Sequence, residues 1–121
     1  MQKVLCLDDS EARHNMLLRN IPSAVCVFTA AECIEKLENE AWDTVFLDHD
    51  LGGETYADSS NANTGMEVVR WIVENKPDVH KLIVHSLNTP AAVEMAAKLK
   101  DLDLYVVHQV PCINLYAFTG K

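Results

Sequence analysis

Five short apolar runs, Val4–Leu7, Ala24–Phe28, Asp43–Leu47, Leu82–Val84 and Leu104–Val107, are separated by longer stretches with helical spacing. Strands with one wet face alternate polar and apolar residues; these runs do not, so they read as strands buried on both faces. Such strands belong to parallel sheets, whose crossovers need a dozen or more residues and cover the sheet with helices. The intervening segments supply them. From Glu11 to Asn20, helical spacing is carried by Ala12, Met16 and Leu17, and Pro22 ends the run. Thr29-Ala30-Ala31-Glu32 has the form of a capping box, and the helix it opens carries Ala30, Cys33, Ile34 and Leu37 on one face. Met66, Val69, Trp71 and Val73 mark a third helix that stops before Pro77. Thr89-Pro90 starts a fourth, with Thr89 as cap and Pro90 as first helical residue, and Val93, Met95, Ala96 and Leu99 continue it. The prediction is one α/β domain over residues 1–121, a doubly wound five-stranded parallel sheet whose fifth helix is short or missing.

Composition narrows the partners. The chain of 121 residues is 49% hydrophobic, enough for one core, and carries a net charge of −8. That charge leaves no electrostatic footprint for a long DNA or RNA duplex. No apolar run reaches the roughly 18 residues of a membrane helix, so no membrane association is expected. The N-terminus lacks the apolar stretch and cleavage site of a signal peptide, so the expected location is cytoplasmic. Cys6, Cys26, Cys33 and Cys112 show no C-x-x-C spacing and read as small buried hydrophobes in a reducing compartment.

In an open α/β sheet, ligands bind beyond the carboxyl ends of the strands. Asp8 and Asp9 follow the first strand; Asp48, His49 and Asp50 follow the third; His85, Ser86 and Asn88 follow the fourth; His108 and Gln109 follow the fifth. A polar residue at one strand end is commonly a solvated turn residue, whereas this many together point to a site. Clustered carboxylates repel one another, and a hard divalent cation relieves that repulsion. Asp8, Asp9, Asp48 and Asp50 are the candidate metal ligands, with Mg²⁺ or Mn²⁺ as the expected ion; nearby imidazoles extend the choice to Fe²⁺ or Zn²⁺. A cation also lets an anionic substrate approach an acidic pocket. Strand alternation puts Asp48 and Asp50 on one face and His49 on the other, and separates His85 from Ser86 in the same way. Elsewhere, Trp42, Trp71, Met16, Met66 and Met95 read as packing, and His14 and His80 as surface. Tyr56 and Asn61-Ala62-Asn63 fall in a polar loop, Gly52 to Thr64, that reads either as a lid over the site or as an ordinary solvated loop.

Asp8-Asp9 and Asp48, with Gly65-Met66-Glu67, resemble the receiver domains of response regulators, which have a flavodoxin-like fold. The resemblance implies that the acid pair and the carbonyl of Asp50 hold Mg²⁺ and that Asp48 accepts a phosphoryl group. Besides the reduced fifth helix and an inserted loop from Gly52 to Thr64, two site positions depart from that pattern. His85 stands at the receiver's Thr or Ser position after strand four, with Ser86 following. His108 and Gln109 stand where the receiver has a Lys before its Pro. A narrower set, Leu7-Asp8-Asp9, Leu47-Asp48-His49-Asp50-Leu51-Gly52, Thr64-Gly65 and His85-Ser86-Leu87-Asn88, resembles the cyclic-phosphate-processing receiver-like family.

That resemblance implies a metal-dependent phosphodiesterase acting on a cyclic phosphate ester, either a cyclic nucleotide or an RNA 2′,3′-cyclic phosphate end. Asp8, Asp9, Asp48 and Asp50 would hold metal, and a water of lowered pKa would attack phosphorus. His85 would be a ligand or the general acid, with His49 also a candidate catalytic group. Ser86, Asn88, Arg13 and His108 would contact the substrate, Arg13 being the nearest arginine to the family's clamp position two residues after the acid pair. In another route Asp48 is itself the nucleophile. Two readings stand beside the enzyme: a divergent receiver phosphorylated on Asp48, and a non-catalytic protein that binds or sequesters a nucleotide. Oligomeric state stays open.

Overall fold

A computed structural model describes residues 3–51, 58–86 and 88–110. Five strands, β1 (Val4–Leu7), β2 (Val25–Val27), β3 (Trp42–Leu47), β4 (Val79–Val84) and β5 (Val106–Gln109), alternate with four helices, α1 (Glu11–Asn20), α2 (Ala30–Asn39), α3 (Gly65–Asn75) and α4 (Thr89–Asp101). The strands form one sheet in the order β2-β1-β3-β4-β5, and every neighbouring pair is parallel. The doubly wound parallel architecture expected from the apolar runs is therefore what forms.

Register decides which side chains meet. Cys26, Cys6, Phe46, Ile83 and His108 are aligned across the five strands and share a face. On that face Val4, Cys6, Phe46 and Ile83 pack with Leu17 and Ile21 at the end of α1. The opposite face, with Leu5, Leu7, Val45, Leu47, Leu82 and Val84, packs against α2, α3 and α4 through Cys33, Leu37, Met66, Val69, Ile72, Met95 and Leu99. Continuing the alternation one step past the strand ends sends Asp8, Asp48 and His85 to the α1 side.

The helices start where their caps direct. Ser10 accepts the amide of Arg13 at the head of α1, and Thr29 and Glu32 close the expected capping box on α2. α3 ends at Lys76 in the left-handed conformation, one residue before Pro77. α4 differs by one residue from expectation: Asn88, not Thr89, is the N-cap, its side chain accepting from Ala91 N–H, and Pro90 falls inside the first turn.

Three further readings need correction. α1 buries His14 and Leu17, while Met16 is 40% exposed and Ala12 faces solvent. The burying stripe is His14, Leu17 and Ile21 at three-four spacing; a histidine in the first position hides it from an apolar pattern. His14 packs edge-on against Phe28 with ring centroids 4.6 Å apart, so it is buried rather than a surface residue. The fifth strand begins two residues later than the apolar run, because α4 extends to Asp101 and a turn with Asp103 at φ 54° takes up Leu104. The remaining expectations for packing residues hold: Trp42, Met66 and Met95 are buried, Trp71 packs against the core, and His80 is exposed. Cys6 and Cys33 are buried and free, and Cys26 is half-buried and free. Burial pushes the thiol of Cys26 up to about 11 and that of Cys33 to about 12, which suits inert packing residues. Cys112 and Tyr56 lie outside the described residues. Among the described residues no helix is long and apolar enough to cross a membrane.

Candidate functional site

The carboxyl edge of the sheet separates the singled-out residues into two adjoining groups. The first is acidic. One carboxylate oxygen from each of Asp8, Asp9 and Asp48 lies within 4.8 Å of the others. Asp8 and Asp48 are buried and Asp9 is half-buried. Backbone amides fix two of the three: Ser10 N–H donates to Asp8 Oδ1 at 2.9 Å, and His49 N–H donates to Asp48 Oδ1 at 2.8 Å. From the first turn of α1, Arg13 reaches back with both arms of its guanidinium. Nε donates to Asp8 Oδ2 and Nη2 to Asp8 Oδ1, each at 2.7 Å, a bidentate pair. The same Nη2 is 3.5 Å from Asp48 Oδ2 and 3.7 Å from Asp9 Oδ1.

Burial and the neighbouring Asp8 charge push the Asp48 carboxyl up to about 8, against the opposing pull of Arg13. One guanidinium lies among the three acids. Behind them, His85 Nδ1 is 3.7 Å from Asp8 Oδ2. Its ring is fully buried, and neither nitrogen has a hydrogen-bond partner among the described residues. Burial holds His85 down at about 4, so the imidazole is neutral near pH 7. His14, on the facing helix, is likewise buried, without a hydrogen bond at either nitrogen, and depressed by desolvation.

The second group holds the chain that leaves β3. His49 is buried, with Nδ1 2.7 Å from Asp50 Oδ1 and Nε2 2.9 Å from Ser59 Oγ. A carboxylate only accepts, so Nδ1 donates to Asp50; in the neutral ring Nε2 then accepts from the Ser59 hydroxyl. Asn88 Nδ2 donates to Asp50 Oδ1 at 3.2 Å, tying the start of α4 to the same carboxylate. Ser59 is itself fastened, its carbonyl accepting from Arg70 Nη1 at 2.8 Å. An antiparallel bridge joins Asp50 to Thr64, and Asn63 Oδ1 accepts the amide of Ala30 at the head of α2. Within the loop, Asn61–Asn63 is thus a pinned turn beside α2.

Gly65 is what lets α3 approach. Its N–H donates to His49 O at 2.9 Å, and a Cβ built there would run into the carbonyl oxygen of Asp48 and lie 2.7 Å from Met95 Cε. Only glycine admits this backbone contact.

Of the expected residues, Asp8, Asp9, Asp48, Arg13 and His85 come together. Asp50 does not share the three-acid group; its side chain is engaged by His49 and Asn88, because the chain turns after Asp48 instead of extending the strand. Ser86 and Asn88 serve the turn into α4: Ser86 Oγ accepts from Asn88 N–H at 3.1 Å, and Asn88 caps the helix. His108 pairs in register with Ile83, two residues short of His85, and is exposed, so the tertiary structure does not bring it to the acids. Ser59 and the Gly65 contact went unrecognised in the sequence. Ser59 sits in a polar loop with no periodicity to single it out; Gly65, at the head of an apolar helix, carried a readable signal.

Three carboxylate oxygens at this separation, two of them on side chains held by backbone amides, fit a small divalent cation that keeps several waters. The orphaned His85 beside them supports that fit.

A sequence profile of the family described as the cyclic-phosphate processing receiver domain matches residues 3–101. No curated protein matches the sequence. Several solved structures share the fold. The signal receiver domain of a putative LuxO repressor protein from Vibrio parahaemolyticus superposes with a TM-score of 0.65 at 17% identity, covering 96% of this chain and 85% of that one. A CheY-like receiver domain from Methylobacillus flagellatus gives 0.65 at 15% identity, covering 95% and 92%. The response regulator TrrA from Thermotoga maritima, in complex with Mg(2+)-BeF, gives 0.60 at 22% identity, covering 88% and 86%.

Proposed function

We propose that this chain, which belongs to the cyclic-phosphate processing receiver domain family, is a metal-dependent hydrolase that opens a cyclic phosphate ester at the carboxyl edge of its sheet. The observation that carries the reading is the convergence of Asp8, Asp9 and Asp48 within 4.8 Å beside a buried His85 that has no hydrogen-bond partner among the described residues. The three carboxylates would hold Mg²⁺ or Mn²⁺, and the backbone carbonyl of Asp50 lies on the chain just beyond them. A bound cation supplies Lewis-acid polarisation of the phosphoryl group and a water of lowered pKa.

The chain's own groups do the rest. Asp8 and Asp48 are held by the amides of Ser10 and His49, so these two carboxylates need little rearrangement to bind. Neutral His85 offers a lone pair beside Asp8, where it can take or return a proton at the ester oxygen. The relay Ser59–His49–Asp50–Asn88 acts at one remove, fixing the turn after β3 and so the direction of Asp48. The substrate class expected from the family is a cyclic nucleotide or an RNA 2′,3′-cyclic end.

Incubation of the chain with 2′,3′- and 3′,5′-cyclic nucleotides in Mg²⁺, Mn²⁺ or EDTA, followed by chromatography, tests the reading. Ring opening should require metal and be lost in Asp48→Asn and His85→Ala. Unchanged substrate under every condition rejects it.

The receiver fold itself favours a second reading, phosphorylation of Asp48 as a signalling switch, since that residue stands at the end of β3 behind an acid pair. Against it, the end of β5 presents His108 and Gln109, and residues 102–110 contain no lysine. A stable phosphoryl adduct on Asp48 after treatment with acetyl phosphate, seen by intact mass, would favour the switch.

A further inference from the structure

The cluster already holds a cation of its own. Arg13 takes both oxygens of Asp8 at 2.7 Å and lies 3.5 Å from Asp48 and 3.7 Å from Asp9. A small divalent ion binds carboxylate oxygens at about 2.0–2.2 Å, through the lone pairs that face the centre of the cluster. On Asp8, Arg13 already donates to both oxygens and the Ser10 amide donates again to Oδ1. An ion and the guanidinium would compete for the same carboxylate, and at this separation they repel.

One of the two partners can yield. Asp8 is fully buried and bound to the Ser10 amide, whereas the Arg13 side chain is 27% exposed on a flexible stem. With Arg13 in place, His85, 3.7 Å from Asp8, has no hydrogen-bond partner among the described residues. A ligand beyond the guanidinium would supply one.

We propose that Arg13 is a resident cation that a divalent ion displaces from Asp8, and that the released guanidinium then takes the nonbridging oxygens of the phosphoryl substrate. This rests on the cation site argued under Proposed function. Its consequence is that metal and phosphate bind cooperatively: the ion frees the arm that holds the anion, and the anion gives the arm a new partner. Arginine suits both positions, since its planar fork matches carboxylate and phosphate alike. Reciprocity requires that phosphate raise metal affinity by the same factor as metal raises phosphate affinity.

The test needs no turnover. Chelator-treated protein is titrated with Mn²⁺ alone, free ion being read by electron paramagnetic resonance, and then with inorganic phosphate in saturating Mn²⁺. Arg13→Ala should bind Mn²⁺ on the order of tenfold tighter than the unmodified chain, about 1.4 kcal/mol, and bind phosphate on the order of tenfold more weakly. The cooperativity factor seen in the unmodified chain should fall to near one. Arg13→Gln, which keeps donors without charge, should shift in the same directions and serves if the alanine variant does not fold. Mn²⁺ affinity that is unchanged or weakened in a folded variant overturns displacement, as does independent binding of Mn²⁺ and phosphate by the unmodified chain. If no form binds Mn²⁺, the cation site itself fails; if all forms bind it equally, only the role of Arg13 does.

Discussion

Replacing Gly65 with alanine sets helix propensity against steric fit, and the structure says which wins. Alanine is better than glycine in a helix by up to about 1 kcal/mol, so a sequence view makes the change stabilising. In the fold, the new Cβ would overlap the carbonyl oxygen of Asp48 and stand 2.9 Å from its carbon and 2.7 Å from Met95 Cε. Met95 can turn away, since a thioether is flexible. The Asp48 backbone cannot: its N–H donates to Leu7 O at 3.1 Å, and the next strand is tied alongside by His85 N–H to Leu47 O at 2.9 Å. So α3 must retreat by roughly an ångström, enough to forfeit a quarter to a half of the dispersion contacts along its packed face. That face is Met66, Val68, Val69 and Ile72, all fully buried. Overpacking at such sites costs about 1–3 kcal/mol. With backbone as the obstacle the upper end applies, and after the propensity gain the net loss is about 2 kcal/mol. Urea unfolding of Gly65→Ala should show a lower midpoint at an unchanged m-value. Equal or greater stability would refute the reasoning, for it would mean that the N-terminus of α3 does not rest on the Asp48 carbonyl.

Other outcomes follow from the same side chains. Asp48, raised from 3.8 to about 8, holds its proton in the fold, so its contribution is complete at low pH and is lost as pH rises through 8; His85, lowered from 6.5 to about 4, contributes above 6.5 and loses that as pH falls through 4. The two oppose each other between about 4 and 6.5. Between 6.5 and 8 Asp48 acts alone, so metal-free stability should decline by on the order of 1–2 kcal/mol, and thermal melts of Asp48→Asn should show no such decline. His85→Leu removes two buried polar atoms without partners and should stabilise the metal-free chain by about 1 kcal/mol in urea melts while abolishing Mn²⁺-dependent ring opening; a destabilised variant would mean that the imidazole is hydrogen-bonded. Thr29→Ala breaks the α2 capping box and should cost about 1 kcal/mol in the same melts, with no change in Mn²⁺ affinity.

Secondary structure was written mostly in local terms, and those parts were legible. The five apolar runs determined a parallel sheet because a strand buried on both faces has no polar side to show water. Thr29 and Glu32, Pro77 and Pro90 placed helix ends because caps and prolines act within one turn of chain. α1 was misread for an equally physical reason: a buried histidine carries no apolar label, and burial is decided by what packs opposite, here Phe28 and the sheet.

The site was legible only as a list of residues past the strand ends. Alternation put Asp48 and Asp50 on one face, but whether Asp50 would follow depended on the turn after β3. That turn is settled by contacts 10 to 38 positions away, from His49 to Ser59 and from Asp50 to Asn88. Sequence chose Asp8, Asp9, Asp48, Arg13 and His85 as candidates; tertiary structure alone joined them, set Asp50 apart, and lodged Arg13 among the acids. The reason is one of range. Propensities and caps act over a few residues and are read from neighbours, whereas charge, burial and hydrogen bonding act through space, and the space at this edge exists only once the strands have paired.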